Sequence, residues 1–86
     1  MAGMVVEYDT EAGAFYVRVT EEPVARTVEV STFVSVDLDA AENVVGLELL
    51  CVPSAVTAQE RAVLEDRHPA AVEALAEVER LTRLSA

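Results

Sequence analysis

A chain of 86 residues holds one domain at most, and a domain of that size hides only about 60% of its unfolded surface, so a self-sufficient large core is excluded. Sixteen carboxylates against six arginines and no lysine give a net charge of −10, which argues against binding phosphate backbones or anionic membranes and favours a basic protein partner. Cys51 is the one cysteine, excluding an intrachain disulfide; with no signal-like N-terminus and no apolar run near the roughly 20 residues of a membrane span, a cytoplasmic chain is expected.

Residues 4–8, 14–20, 26–30, 34–38 and 45–50 alternate apolar with polar side chains and are rich in β-branched residues, which predicts five strands. The connections between them are short and polar, so sequential antiparallel neighbours, a β-meander, are expected. A two-residue period places Val6, Tyr8, Phe15, Val17, Val19, Val28, Val30, Val34, Val36, Leu38, Val45, Leu47 and Leu49 on one, core-facing side. Glu7, Tyr16, Arg18, Thr27, Glu29, Ser35, Asp37, Gly46 and Glu48 take the other side. Registers that match core to core set Val28 opposite Val36, Leu38 opposite Val45, and Arg18 opposite Glu29 as a cross-strand ion pair.

Pro53 marks a change to helix-forming composition. Thr57-Ala-Gln-Glu60 fits a capping box, predicting a helix that runs to about residue 67. Pro69 suits the first position of a second helix over 69–84, on which Val72, Leu75, Val78 and Leu81 recur as an apolar stripe. The expected fold is α+β: a five-stranded antiparallel β-meander over 4–50 followed by two C-terminal α-helices within 54–86, all in one domain.

The blocks Tyr8-Asp-Thr-Glu-Ala-Gly-Ala-Phe-Tyr-Val-Arg18, Thr27-Val-Glu-Val30, Val34-Ser-Val-Asp-Leu-Asp39 and Val44-Val-Gly-Leu-Glu-Leu49 resemble, in that order, the bacterial family known as domain of unknown function 2283. The resemblance spans about residues 4–50 and implies a small β-meander unit; it brings no established activity and no catalytic residues. Some members look like the smaller half of gene pairs of the toxin–antitoxin kind. Many carry glycine where Phe33 stands, in a turn whose last residue takes positive φ, so this hairpin must open or its ring must be gripped by neighbours. Many also end soon after the last strand, which leaves the helical segment outside what the resemblance implies.

Candidate chemistry is sparse. Asp37, Asp39, Glu42 and Asn43 offer oxygen ligands but lack the glycine and the bidentate acid of a calcium loop, and a solvated turn is the expected role. Asp9 and Glu11 read as turn chemistry rather than an acid–base pair, His68 as a helix-end residue before Pro69, and Cys51 as a buried inert thiol. No catalytic residue, cofactor or metal is expected. Phe33, Val44 and Leu50 fall on the polar side of the sheet and, with the stripe Val72, Leu75, Val78 and Leu81, are the interface candidates. The expected role is a non-catalytic interaction module that forms a homo-oligomer, a dimer first, and neutralises a basic partner; the alternative is a small-ligand protein or minor enzyme with a pocket between sheet and helices lined by Tyr8, Tyr16 or Cys51.

Overall fold

The computed structural model describes residues 3–84. Five strands, β1 (Val5–Asp9), β2 (Ala14–Arg18), β3 (Arg26–Glu29), β4 (Val34–Leu38) and β5 (Val44–Leu49), form one antiparallel sheet. A single 3-10 turn at Pro53–Ala55 leads into two helices, α1 (Ala58–Arg67) and α2 (Pro69–Leu84). The expected α+β class and every strand and helix are present; the 3-10 turn at the sheet exit was not expected.

The order of the strands differs from sequential pairing. It runs β1-β2-β5-β4-β3, with β5 inserted between β2 and β4. Composition explains the insertion. β5 is the most apolar strand, and every residue but Glu48 is buried, so a central position covers both of its flanks. β3, with the sequence RTVE, is polar and exposed at three of its four positions, which suits an edge. Residues 19–25 make the crossing over the ends of β5 and β4. The expected Arg18–Glu29 pair therefore does not form: Arg18 lies opposite Gly46 and Glu29 opposite Ser35. The Arg18 guanidinium instead donates to the Thr20 carbonyl at 3.2 Å.

An irregularity between Asp37 and Leu38 shifts the β4–β5 register by one residue, so Leu38 faces Val44 rather than Val45. That shift brings Val44 into the core beneath the helices, a correction to its expected place on the polar side. Val45 is also fully buried but does not join that cluster.

The core joins Val17, Val34, Val36, Leu38, Leu47 and Leu49 of the sheet to Leu64 of α1 and to Ala71, Ala74, Leu75 and Val78 of α2. The buried row of α2 thus steps by three, one and three residues, a helical period. A row spaced strictly by three drifts about 60° around the helix at each step, so its ends stand on opposite sides. For that reason Val72 and Leu81 are only half buried while Leu75 and Val78 are sealed. Two alanines in the row let the helix axis come close to β5 and β2.

Local chemistry fixes the ends. Thr57 and Glu60 form the expected capping box, Oγ1 accepting from the Glu60 amide at 3.0 Å and the Glu60 carboxylate from the Thr57 amide at 2.7 Å. The Arg61–Glu79 ion pair at 2.8 Å ties α1 to α2. In the β1–β2 turn Asp9 Oδ1 accepts from the Glu11 and Ala12 amides, and Gly13 takes φ +64°. Phe33 avoids the strain expected of it: among described residues the non-glycine at positive φ is Glu42, and the Ser31 hydroxyl accepts from the Phe33 amide to hold the tight turn.

Candidate interaction surface

The helices cover one side of the sheet and leave the other open. A sheet of this kind is about 24 Å across, whereas a helix is about 10 Å wide, so α2 lies over β5 and β2 and covers the edge strands only in part. Tyr8, expected in the core, is accordingly 55% exposed, its ring against Phe15 at a centroid distance of 4.7 Å.

Register places the open side in three rows. Val5, Arg18, Gly46, Asp37 and Thr27 form the first; Glu7, Tyr16, Glu48, Ser35 and Glu29 the second. Ala14, beside Asp9, opens the third, and Phe33 and Leu50 continue it, joined by a Leu50 amide to Phe33 carbonyl bond of 2.8 Å. Phe33 is 52% and Leu50 42% exposed, so two large apolar side chains stand in water at the sheet end. Beside them a shallow concavity of about 410 Å3 is lined by Glu7, Asp9, Ala14, Tyr16, Glu48 and Leu50. Three carboxylates border it with no cation among its lining residues.

One polar network organises the middle of this side. The Tyr16 hydroxyl donates to Asp37 Oδ2 at 2.8 Å, and the Thr27 hydroxyl donates to Asp37 Oδ1 at 2.6 Å. Burial first, then the hydrogen bond and charge of Asp37, push the Tyr16 phenol up to about 12. The phenol keeps its proton in the fold where the unfolded chain would lose it, so its stabilising contribution is complete below pH 10 and disappears as pH rises to about 12. An absorbance titration is expected to show one tyrosine ionising near 12, and Asp37→Asn to bring that step down. An unchanged step in the variant would contradict the assignment.

The remaining sequence candidates separate. Asp37 serves Tyr16 and Thr27, Asp39 Oδ1 accepts the Ala41 and Asn43 turn amides, and Glu42 holds Arg26 in a two-point pair at 3.0 and 2.8 Å. No three His, Cys, Asp or Glu side chains come together as a metal site among the described residues. Cys51 is half buried, and burial and the nearby Glu60 push its thiol up, away from the reactive thiolate. His68 ends α1, and burial together with Arg67 and Arg26 pushes its imidazole down. Tyr16 lines the open concavity, with Tyr8 of the edge strand at its margin, rather than a pocket between sheet and helices. Of the interface candidates, Val44, Leu75 and Val78 are buried within their own chain, Val72 and Leu81 are half buried, and Phe33 and Leu50 are exposed.

This is an α+β domain with a helical lid on one side of a sheet and an acidic, partly apolar surface on the other. Residues 5–52, more than half of the chain and all five strands, match the sequence profile of the family described as Protein of unknown function (DUF2283), and the chain belongs to that family. No curated protein and no solved structure matches the chain. No helix among the described residues is long and apolar enough to cross a membrane.

Proposed function

We propose that the protein is a non-catalytic interaction module that self-associates and presents its open sheet side to a basic protein partner. The observation behind this reading is the exposure of Phe33 and Leu50 beside a concavity bordered by Glu7, Asp9 and Glu48. Apolar side chains supply contact area there, while the carboxylates draw in a cationic partner and discriminate against anionic ones. Leu75 and Val78 of the helical stripe are taken up by the chain's own core, which favours the open sheet side as the contact surface. Neutralising a basic companion protein is a role this charge distribution suits.

Light scattering across a concentration series tests self-association: a dimer is expected at micromolar concentration, and a monomer throughout overturns it. Phe33→Ser combined with Leu50→Ser tests the open side. Both residues are exposed, so the variant is expected to fold while a protein captured by the wild type is lost. Equal capture by the two would remove Phe33 and Leu50 from the contact.

A further inference from the structure

We propose that a second copy of this chain docks on the outer edge of β1, pairing antiparallel about a two-fold axis at Val6 to make one continuous sheet through both molecules. This rests on the self-association reading and names its surface.

Among the described residues β1 is an edge strand with no partner beyond it. Natural edges are protected by proline, lysine or cover from another element. β1 has the sequence VVEYD and is exposed at four of its five positions. The opposite edge is different. β3 follows Pro23, carries Arg26 locked to Glu42, and borders a groove that Arg67 and His68 line from α1. A proline and a paired arginine guard that side; β1 has neither, and its charges, Glu7 and Asp9, stand in the rows of the open side.

Backbone direction settles which groups β1 offers. The Asp9 carbonyl accepts from the Gly13 amide at 2.8 Å, so the main chain of Asp9 faces β2. In an antiparallel ladder the bonding direction alternates, so Glu7 and Val5 also face β2 while Tyr8, Val6 and Met4 turn their N–H and C=O groups outward. A two-fold axis at Val6 sets Val6 against the partner's Val6 and Met4 against the partner's Tyr8, each facing pair exchanging both its N–H···O=C bonds. It also sets Glu7 against the partner's Val5, keeping the two Glu7 carboxylates apart. Moving the axis to Glu7 would put those carboxylates directly opposite each other, an unfavourable pairing.

The side chains are self-complementary in the same register. Met4, Val6 and Tyr8 lie on the helix-covered side at the margin of the core, where Met4 and Val6 are half buried and Tyr8 is 55% exposed. Beside Met4 runs an open groove of about 590 Å3, walled by Val19 and by Glu73, Ala76 and Arg80 of α2. Pairing Met4 with the partner's Tyr8 brings that ring to this groove, and symmetry fills the equivalent groove with the other ring. The lid that is too narrow for one sheet becomes two lids flanking a shared apolar seam.

Hydrogen exchange on the full chain, at concentrations where light scattering reports monomer and dimer, tests the proposal. The amides of Met4, Val6 and Tyr8 are expected to slow as the dimer forms, while those of Val5, Glu7 and Asp9 are slow in both states. Raising salt is expected to tighten the dimer, because two copies of net charge −10 repel each other at low ionic strength. Val6→Pro removes an outward amide that the monomer does not use, and its expected result is a folded monomer. A dimer whose Met4, Val6 and Tyr8 amides exchange as fast as in the monomer overturns the β1 assignment and leaves self-association standing. A monomer at every concentration overturns both. Should Val6→Pro fail to fold, the exchange pattern of the wild type decides.

Discussion

Leu75→Ala is expected to cost about 2–5 kcal/mol of stability, the range for removing a sealed leucine whose surroundings collapse only in part. Leu75 is fully buried in the middle of α2, against the central strands of the sheet. A domain of this size has a total stability on the order of 5–15 kcal/mol, so this one truncation removes a large share of it. Its Tm would fall by about 10–30 °C, since each kcal/mol moves a small domain by several degrees. Val72→Ala, one turn away and half buried, is expected to cost about 1 kcal/mol or less. Urea unfolding of the two variants compares them directly. Equal losses would mean that the helix does not present the row Ala71, Ala74, Leu75 and Val78 to the sheet.

The contrast between those leucine and valine positions shows where reading by spacing runs out. Apolar residues every third position suggest one stripe, but a helix turns too far per residue to keep Val72 and Leu81 on it. What could be read was the alternation in the strands, the capping box at Thr57 and the break at Pro53, because each depends on neighbours in sequence. Pairing partners depend on which strand needs the most cover, and a short polar connection does not reveal that. Residues 21–25 look like a hairpin loop, yet together with Val19 and Thr20, expected in the second strand, they carry the chain across two strands. Val44 was misplaced for a related reason: a one-residue register shift reverses a strand's facing beyond it, and no residue type announces the shift. Phe33 and Leu50 were legible as a pair out of place, since their parity put them on the polar side whichever strand order held. Tyr16 and Asp37 were each assigned to that side, but their bond crosses over β5, so only the true strand order brings them together.

Gly46 is the position from which that network was most nearly visible, because glycine inside a strand marks a close approach. A Cβ built on Gly46 meets the Tyr16 hydroxyl and lies 2.5 Å from its ring carbon Cζ and 3.0 Å from the Val17 carbonyl. The tyrosine ring lies across the glycine and reaches Asp37 on the strand beyond, so the missing side chain is what opens the path. Alanine in place of a strand glycine ordinarily stabilises by about 0.4–1 kcal/mol, through the smaller entropy of the unfolded chain. Here Gly46→Ala is expected to destabilise by about 1–3 kcal/mol instead, because the ring must lift and give up its hydrogen bond. The cause is separable from a general distaste for alanine in β5. With Tyr16→Ala already made, adding Gly46→Ala is expected to cost little or to stabilise, giving a coupling of about 1–3 kcal/mol between the two sites. The phenol supplies an independent reading: in Gly46→Ala its ionisation should fall from about 12 toward the ordinary 10 as the ring leaves Asp37. Additive stabilities together with an unmoved titration would show that the ring does not depend on the gap at Gly46.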